Sequence, residues 1–316
     1  MITTARGTRP EAFGPAEWTL LAFVAVIWGS SFLWIEYGLE SFRPPVVTTA
    51  RIGLGVLALA FVPAARRTRI ERADWPRVVV LSVSWMAIPL FLFPIAQRWI
   101  DSSLAGMLNG AVPLTTAFVS TLVLRALPGR VQLWGLLVGF TGVVCIALPS
   151  LDDSGSTAFG VGLVVVAVFL YGVGANVSVP LQQKYGALPV LLRALLVALA
   201  LVTPIGVAAL PGSEFHVGSA AAMVPLGLLG TGWAYVAFVT LSGRAGATRG
   251  AVAIYFTPVV AIVLGVIVRD EKVAALALVG AGLVMLGAWL TSRREPAADD
   301  AVGQQIEAAE EAEIAG

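Results

Sequence analysis

The sequence predicts an all-α integral membrane fold of ten transmembrane helices, arranged as two inverted five-helix repeats. Three observations carry that expectation. Hydrophobic residues make up 58% of the 316-residue chain and charged residues 12%, with a mean hydropathy of +0.88, whereas a soluble domain carries about 25% charged residues. Apolar stretches recur at the length a bilayer core demands, about 20 residues per helix, and short polar breaks separate them. Prolines and glycines then recur at nearly one sequence offset, which divides the chain into two like halves.

The first helix, at 18–38, follows Arg6 and Arg9 and has no cleavage site behind it. Residues 1–17 therefore read as a cytosolic segment and the helix as retained, not as a signal peptide. Helices at 45–64 and 77–98 flank a basic stretch that contains Arg66, Arg67, Arg69 and Arg72. The fourth, at 102–125, contains Pro113, and the fifth, at 131–149, contains Cys145, the single cysteine, which excludes an intramolecular disulfide. The second set lies at 159–180, 188–210, 221–242, 247–268 (with Pro258) and 273–292. Helices apolar all round carry little moment, so only small and polar positions hint at the faces that meet protein. Residues 293–316 change character: beyond Arg294 they hold seven carboxylates and no base, and they read as a disordered cytosolic tail.

Loop charge sets the orientation. With the N-terminus in the cytosol, fourteen basic residues fall on the inner side, against Arg43, Arg98, Arg269 and Lys272 outside. Both termini are expected inside the cytoplasmic (inner) membrane, and the loss of one helix would reverse every later loop and spoil the pattern. The formal net charge of +1 gives no basic bulk for nucleic acid.

The repeat rests on ordered pairs. Pro113 and Pro258 are 145 apart, as are Gly135 and Gly280, and Gly142 and Gly287; Trp28-Gly29 and Tyr171-Gly172 are 143 apart. Arg51 and Arg193 fall early in the second helix of each half. The halves are 18–149 and 159–292, and five helices is an odd number, so equivalent helices cross the bilayer in opposite directions. That arrangement is common in secondary transporters, where a site lies between the halves and their rocking gives alternating access.

The same residues carry a resemblance. Leu229-Gly230-Thr231-Gly232-Trp233-Ala234-Tyr235, Gly246-Ala247-Thr248-Arg249, Tyr255-Phe256-Thr257-Pro258 and Asp270-Glu271 are similar to the second half of an EamA-type protein of the drug/metabolite transporter superfamily. Trp28-Gly29-Ser30-Ser31-Phe32, Arg51, Ser102-Ser103-Leu104-Ala105, Pro113 and Gly135 resemble its first half. The resemblance implies ten helices, both termini inside, a central cavity and movement of small organic solutes, often outward. One departure is plain: the acidic residue after the fourth helix of a half is Glu271 in the second half, but the equivalent position in the first is Ala126.

A polar group inside a membrane helix is a functional candidate, because a charged side chain at the bilayer centre costs about 2.5–3.5 kcal/mol on insertion scales. The substrate-binding candidates are Trp28, Ser31, Trp85, Asn109, Tyr171, Asn176, Thr231, Tyr235 and Tyr255, with Ser30 beside them. Asn109 ranks first because Pro113, four residues on, disturbs its carbonyl; its bland reading is a hydrogen bond to a neighbouring helix. Trp28 and Trp233 are expected to wall a cavity. Arg51 and Arg193, with Pro113 and Pro258, are candidates for gating or helix bending, and both arginines are near enough to a helix end to snorkel to an interface. Enzyme chemistry finds little support: His216 is the one histidine, and no HExxH, GxSxG or P-loop pattern occurs. No metal site or cofactor is expected.

The expected function is a secondary transporter, in the export direction, of small metabolites or drug-like solutes. The partners are a small-molecule solute and the lipid bilayer; the oligomeric state is open. Without a carboxylate at mid-membrane, facilitated diffusion or exchange is expected over strict proton antiport, with Glu36 the nearest acid. A reading from another class is a non-transporting receptor or scaffold that engages a cytosolic partner through the acidic tail.

Overall fold

The computed structural model describes residues 14–124, 130–151, 155–245 and 252–291. The acidic tail, Ala126 and the Gly246-to-Arg249 motif lie outside the described residues, as does any partner role for the tail. Among the described residues every regular element is helical. Among the described residues five helices are long and apolar enough to cross a membrane: Pro15–Leu39, Arg72–Ala96, Thr157–Tyr185, Ala187–Gly212 and Val217–Phe238. Shorter apolar helices, Pro44–Ala60, Leu133–Pro149, Ala253–Arg269 and Ala275–Leu290, lie among them.

Helix starts follow local chemistry. α1 (Pro15–Leu39) opens on a proline that has no N–H to leave unsatisfied, and Glu17 accepts the Gly14 N–H at 3.2 Å. α2 (Pro44–Ala60) opens on two prolines and ends four residues before the expected boundary at 64; a short helix, α3 (Pro63–Arg67), follows. The third long segment is α4 (Trp75–Leu81), a wide π turn (Ser82–Ala87) and α5 (Ile88–Ala96). Pro89 follows the wide turn and offers no N–H to the carbonyl of Trp85, a physical reason for the ladder to slip there.

The segment expected as one helix at 102–125 is two helices, α6 (Ser102–Asn109) and α7 (Val112–Leu124). Gly110 N–H bonds to Met107 and Ala111 N–H to Leu108, which tightens the last turn of α6, and Pro113 cannot donate to the Asn109 carbonyl. α8 (Arg130–Leu151) and α9 (Gly155–Tyr185) follow. α9 turns into α10 (Ala187–Ala209) through Gly186 alone, whose φ of 83° favours glycine.

The next long segment repeats the third: α11 (Val217–Val224), a wide π turn (Pro225–Trp233) and α12 (Ala234–Ala245). The one after it repeats the fourth, as α13 (Val252–Tyr255) and α14 (Thr257–Arg269) meet at Phe256 with Pro258 second in α14, as Pro113 is second in α7. α15 (Ala275–Thr291) closes the described chain.

Three close approaches hold the bundle. α8 lies on α15 through glycines: a Cβ on Gly142 would fall 2.6 Å from the Gly280 carbonyl, and one on Gly280 would fall 2.7 Å from the Gly142 carbonyl. The two broken helices cross where a Cβ on Gly110 would fall 2.6 Å from the Pro258 ring and where Gly106 faces Ala261. α2 lies on the second wide turn, where Gly55 faces Thr231 and Gly227 faces Leu54. Small residues are the ordinary means of helix contact in lipid, where no hydrophobic drive operates between helices.

Candidate functional site

Polar links gather at both ends of the bundle and in its middle. At the end where α1 begins, Lys184 pairs with Glu71 and Asp74, both at 2.8 Å, and the Tyr185 hydroxyl donates to Asp74 at 2.6 Å. Arg193 is there too: its guanidinium donates to the carbonyls of Ala65 and Thr68, tying α10 to the segment after α2. At the far end, Arg269 pairs with Glu36 at 2.7 Å and Glu40 at 2.8 Å, with its guanidinium 5.1 Å from the Tyr37 ring. An open cleft there of about 530 Å³ is lined by Glu36, Asp101, Arg269, Asp270, Glu271 and Lys272.

Beside it, Glu271 reaches across to α6. Its carboxylate accepts the N–H of Ser102 at 3.1 Å, the N–H of Ser103 at 2.9 Å and the Ser102 hydroxyl. These are orphan donors at a helix N-terminus, and a carboxylate also complements the helix dipole. Glu271→Gln keeps the size and loses the charge, so thermal unfolding of the purified protein is expected to show a loss of about 1.5–3 kcal/mol, the range for hydrogen bonds to charged groups. Unchanged unfolding would mean that the clamp contributes nothing.

The middle holds the densest set of predicted site residues. Arg51 is the eighth residue of the seventeen-residue α2, about 10 Å along its axis at 1.5 Å per residue, and is 7% exposed. It does not snorkel to an interface. Its Nε donates to Thr231 Oγ1 at 2.9 Å, and Thr231 in turn donates to the Leu226 carbonyl, five residues back, at 3.3 Å. That side-chain bond lies inside the wide π turn, a kind of segment that recurs at functional sites. The same turn presents the Gly230 carbonyl to the Trp28 indole N–H at 3.0 Å, and Ser31 lies against Gly230.

Aromatic rings surround these groups. Tyr235 meets Trp28 edge-on at 5.3 Å and Trp85, in the other wide turn, at 6.1 Å. Phe238 packs on Trp28 at 5.1 Å, and Tyr171 stacks on Phe93 at 6.0 Å. Both Tyr171 and Tyr235 lie within electrostatic reach of Arg51. Trp28, Ser31, Trp85, Tyr171, Thr231 and Tyr235 are thus gathered around one buried guanidinium, supplied by α1, α2, both wide turns, α9 and α12.

Other candidates stand apart. Asn176 donates to the carbonyls of Thr116 and Gly172, joining α9 to α7, and the Tyr255 hydroxyl donates to the Ala288 carbonyl at 2.9 Å. Asn109 ends α6 at the crossing with α14; among the described residues no hydrogen bond or ring contact joins it to the Arg51 cluster. Trp233, expected to wall a cavity with Trp28, is 47% exposed; the wide turn rotates it outward while Tyr235 turns in. Phe93 and Phe238, absent from the sequence-based candidates, join the aromatic set. Nothing in an all-apolar helix marks which phenylalanine faces inward.

A bundle of apolar helices, with its charged residues at the two ends apart from the buried Arg51, marks an integral membrane protein. Two stretches, 17–148 and 158–293, match the model of the EamA-like transporter family, and the chain belongs to that family. An uncharacterized transporter of Archaeoglobus fulgidus is 24% identical over 88% of this chain and 99% of its own. A protein of Streptantibioticus cattleyicolor named a probable terminal-alkyne amino-acid exporter is 26% identical over 88% of this chain and 94% of its own. A solved crystal structure shares the fold with a TM-score of 0.62 at 16% identity, over 87% of this chain and 96% of that one.

Proposed function

We propose that the protein is a secondary transporter that exports small organic solutes across the cytoplasmic membrane by alternating access. Its ten spans form two inverted halves, 18–149 and 159–292, with both termini cytosolic. Two features at matching places support the halves: the wide turns at Ser82–Ala87 and Pro225–Trp233, and the breaks ahead of Pro113 and Pro258. The observation that carries the function is the mid-bundle cluster. A transporter needs a solute site near the membrane midplane between its halves, and the contacts of Arg51 with Thr231 and of Trp85 with Tyr235, which join residues of the two proposed halves, support placing that site here.

Polar links at the two ends join the same halves, Lys184 to Asp74 at one and Arg269 to Glu36 at the other. Rocking about the central site opens one set while the other holds. No acid lies in the central cluster, so facilitated exchange, and not a buried proton relay, fits these residues. The test compares metabolites retained and released by cells with and without the protein. Tyr235→Ala is expected to lower release of the exported solute about tenfold, a loss of about 1.4 kcal/mol of interaction, at unchanged protein abundance. Release that is the same with and without the protein would defeat the transport reading.

A further inference from the structure

We infer that Arg51 is the anchor for a carboxylate on the transported solute, and that the solute is a monoanion with an apolar or aromatic body. The inference rests on the transport reading above and names the substrate class of the same site.

Burying a guanidinium is costly unless its donors are met. Arg51 spends one donor, Nε, on Thr231. Among the described residues it forms no ion pair and its two Nη groups make no hydrogen bond. Nor are they sealed away: the fully enclosed polar atoms without partners are Glu36 Oε2, Gln97 Oε1 and Thr257 Oγ1. The Nη groups are therefore within reach of water, and so are the hydroxyls of Tyr171 and Tyr235, which among the described residues also lack protein partners.

Geometry narrows the ligand. Thr231 and the wide turn hold the guanidinium by its Nε edge, which leaves the two Nη groups as a planar fork of the kind that takes both oxygens of a carboxylate. Charge narrows it further. The residues gathered around Arg51, namely Trp28, Ser31, Trp85, Tyr171, Thr231 and Tyr235, are all uncharged; of the helices packed on α2, α5 carries no charge and the one charge of α10, Arg193, is spent on backbone carbonyls near the end of the bundle. A monoanion leaves the site neutral, whereas a phosphate dianion would leave a net negative charge in a low-dielectric interior. The rings of Trp28, Trp85, Tyr171 and Tyr235 supply an apolar wall for the rest of the molecule.

Arg193, at the corresponding place in the second half, differs on each point. It is nearer a helix end and its donors are spent on backbone carbonyls of Ala65, Arg66 and Thr68. The two arginines are alike in the sequence, and one of them is left with open donors.

The experiment titrates the purified full chain in detergent with matched pairs, 3-phenylpropionate against 3-phenylpropanamide and 4-phenylbutyrate against 4-phenylbutanamide. The quench of tryptophan fluorescence, to which Trp28 and Trp85 report, is the readout. Each carboxylate is expected to bind about 10- to 100-fold more tightly than its amide, the range for one buried charge-assisted pair. Arg51→Gln is expected to erase that preference and leave amide binding in place. Thr231→Val, which keeps the charge and removes the Nε bond that orients the fork, covers the case in which the Arg51 variant does not fold; it is expected to lose about tenfold in carboxylate affinity alone. Equal binding of acid and amide, no binding of either carboxylate, or a preference that survives both substitutions overturns the proposal. Arg51-dependent carboxylate binding without flux into proteoliposomes would leave the proposal standing and remove the transport reading. Flux of a solute that ignores Arg51→Gln would do the reverse.

Discussion

Tying the far ends of α1 and α14 together is expected to stop solute flux. With Cys145 replaced by serine, cysteines at Glu40 and Arg269 can be bridged by a short bis-methanethiosulfonate, which forms a disulfide with each thiol and releases methanesulfinate, since the parent side chains are in contact at 2.8 Å. The bridged protein is expected to lose flux by at least about tenfold and to recover it on reduction. The native contacts are weak enough to open. Arg269 is 29% exposed and its partners Glu36 and Glu40 are 23% and 47% exposed, and ion pairs of this kind contribute about 0.2–1 kcal/mol each. Two such pairs and the contact with Tyr37 bias a two-state equilibrium without locking it, which is what an end that opens once per cycle needs. A covalent bridge removes that freedom. Full flux through the bridged protein would show that α1 and α14 do not part, and alternating access about this end would have to be abandoned.

Much of the architecture was legible because a bilayer imposes length and apolarity on every span, and most helix limits fall within a few residues of the expected ones. The exceptions have local causes. The segment 102–125 breaks because Gly110 and Pro113 together leave no continuous ladder, and the helix expected at 45–64 stops at Ala60, ahead of Pro63. The site was legible as a set of residue types and illegible as a geometry. Arg51 and Arg193 carry the same signal in sequence, and the neighbours of each, a hydroxyl for one and carbonyls for the other, are set by tertiary packing. Trp233 and Tyr235 show a second limit. A π turn takes up more residues than an α turn, and one residue shifts the helical phase by about 100°, so face assignments made from a regular helix fail beyond the wide turn. Glu271 was visible as an acid at a helix boundary, but its partners, Ser102 and Ser103, are 169 and 168 residues away.

Gly55→Leu is expected to abolish transport, while Gly53→Ala, two residues away on the same helix, is expected to leave it unchanged. The difference comes from what each new Cβ meets. At Gly53 it lies 3.7 Å from a Leu199 methyl, ordinary contact; at Gly55 it falls 2.7 Å from the Thr231 methyl and 2.9 Å from its Cβ. Thr231 cannot yield, because its hydroxyl is bonded to Leu226 and to Arg51 and its β-branched side chain has few rotamers to escape into. Nor can α2 slide, since Gly227 and Gly232 already hold it against the wide turn at Leu54 and Ala58. The helix must therefore lift away, at about 1–3 kcal/mol for overpacking, and a displacement of a few tenths of an ångström or more breaks the 2.9 Å bond that orients the guanidinium. Flux in proteoliposomes is expected to fall by about 100-fold, by analogy with catalytic sites, where a misplacement near 1 Å costs that much. The folded bundle should survive, because α2 keeps its contacts with α10 and α5, and size-exclusion behaviour in detergent reports on that directly. A Gly55→Leu protein that folds and transports at the parent rate would mean that the contact between α2 and the wide turn does not shape the site.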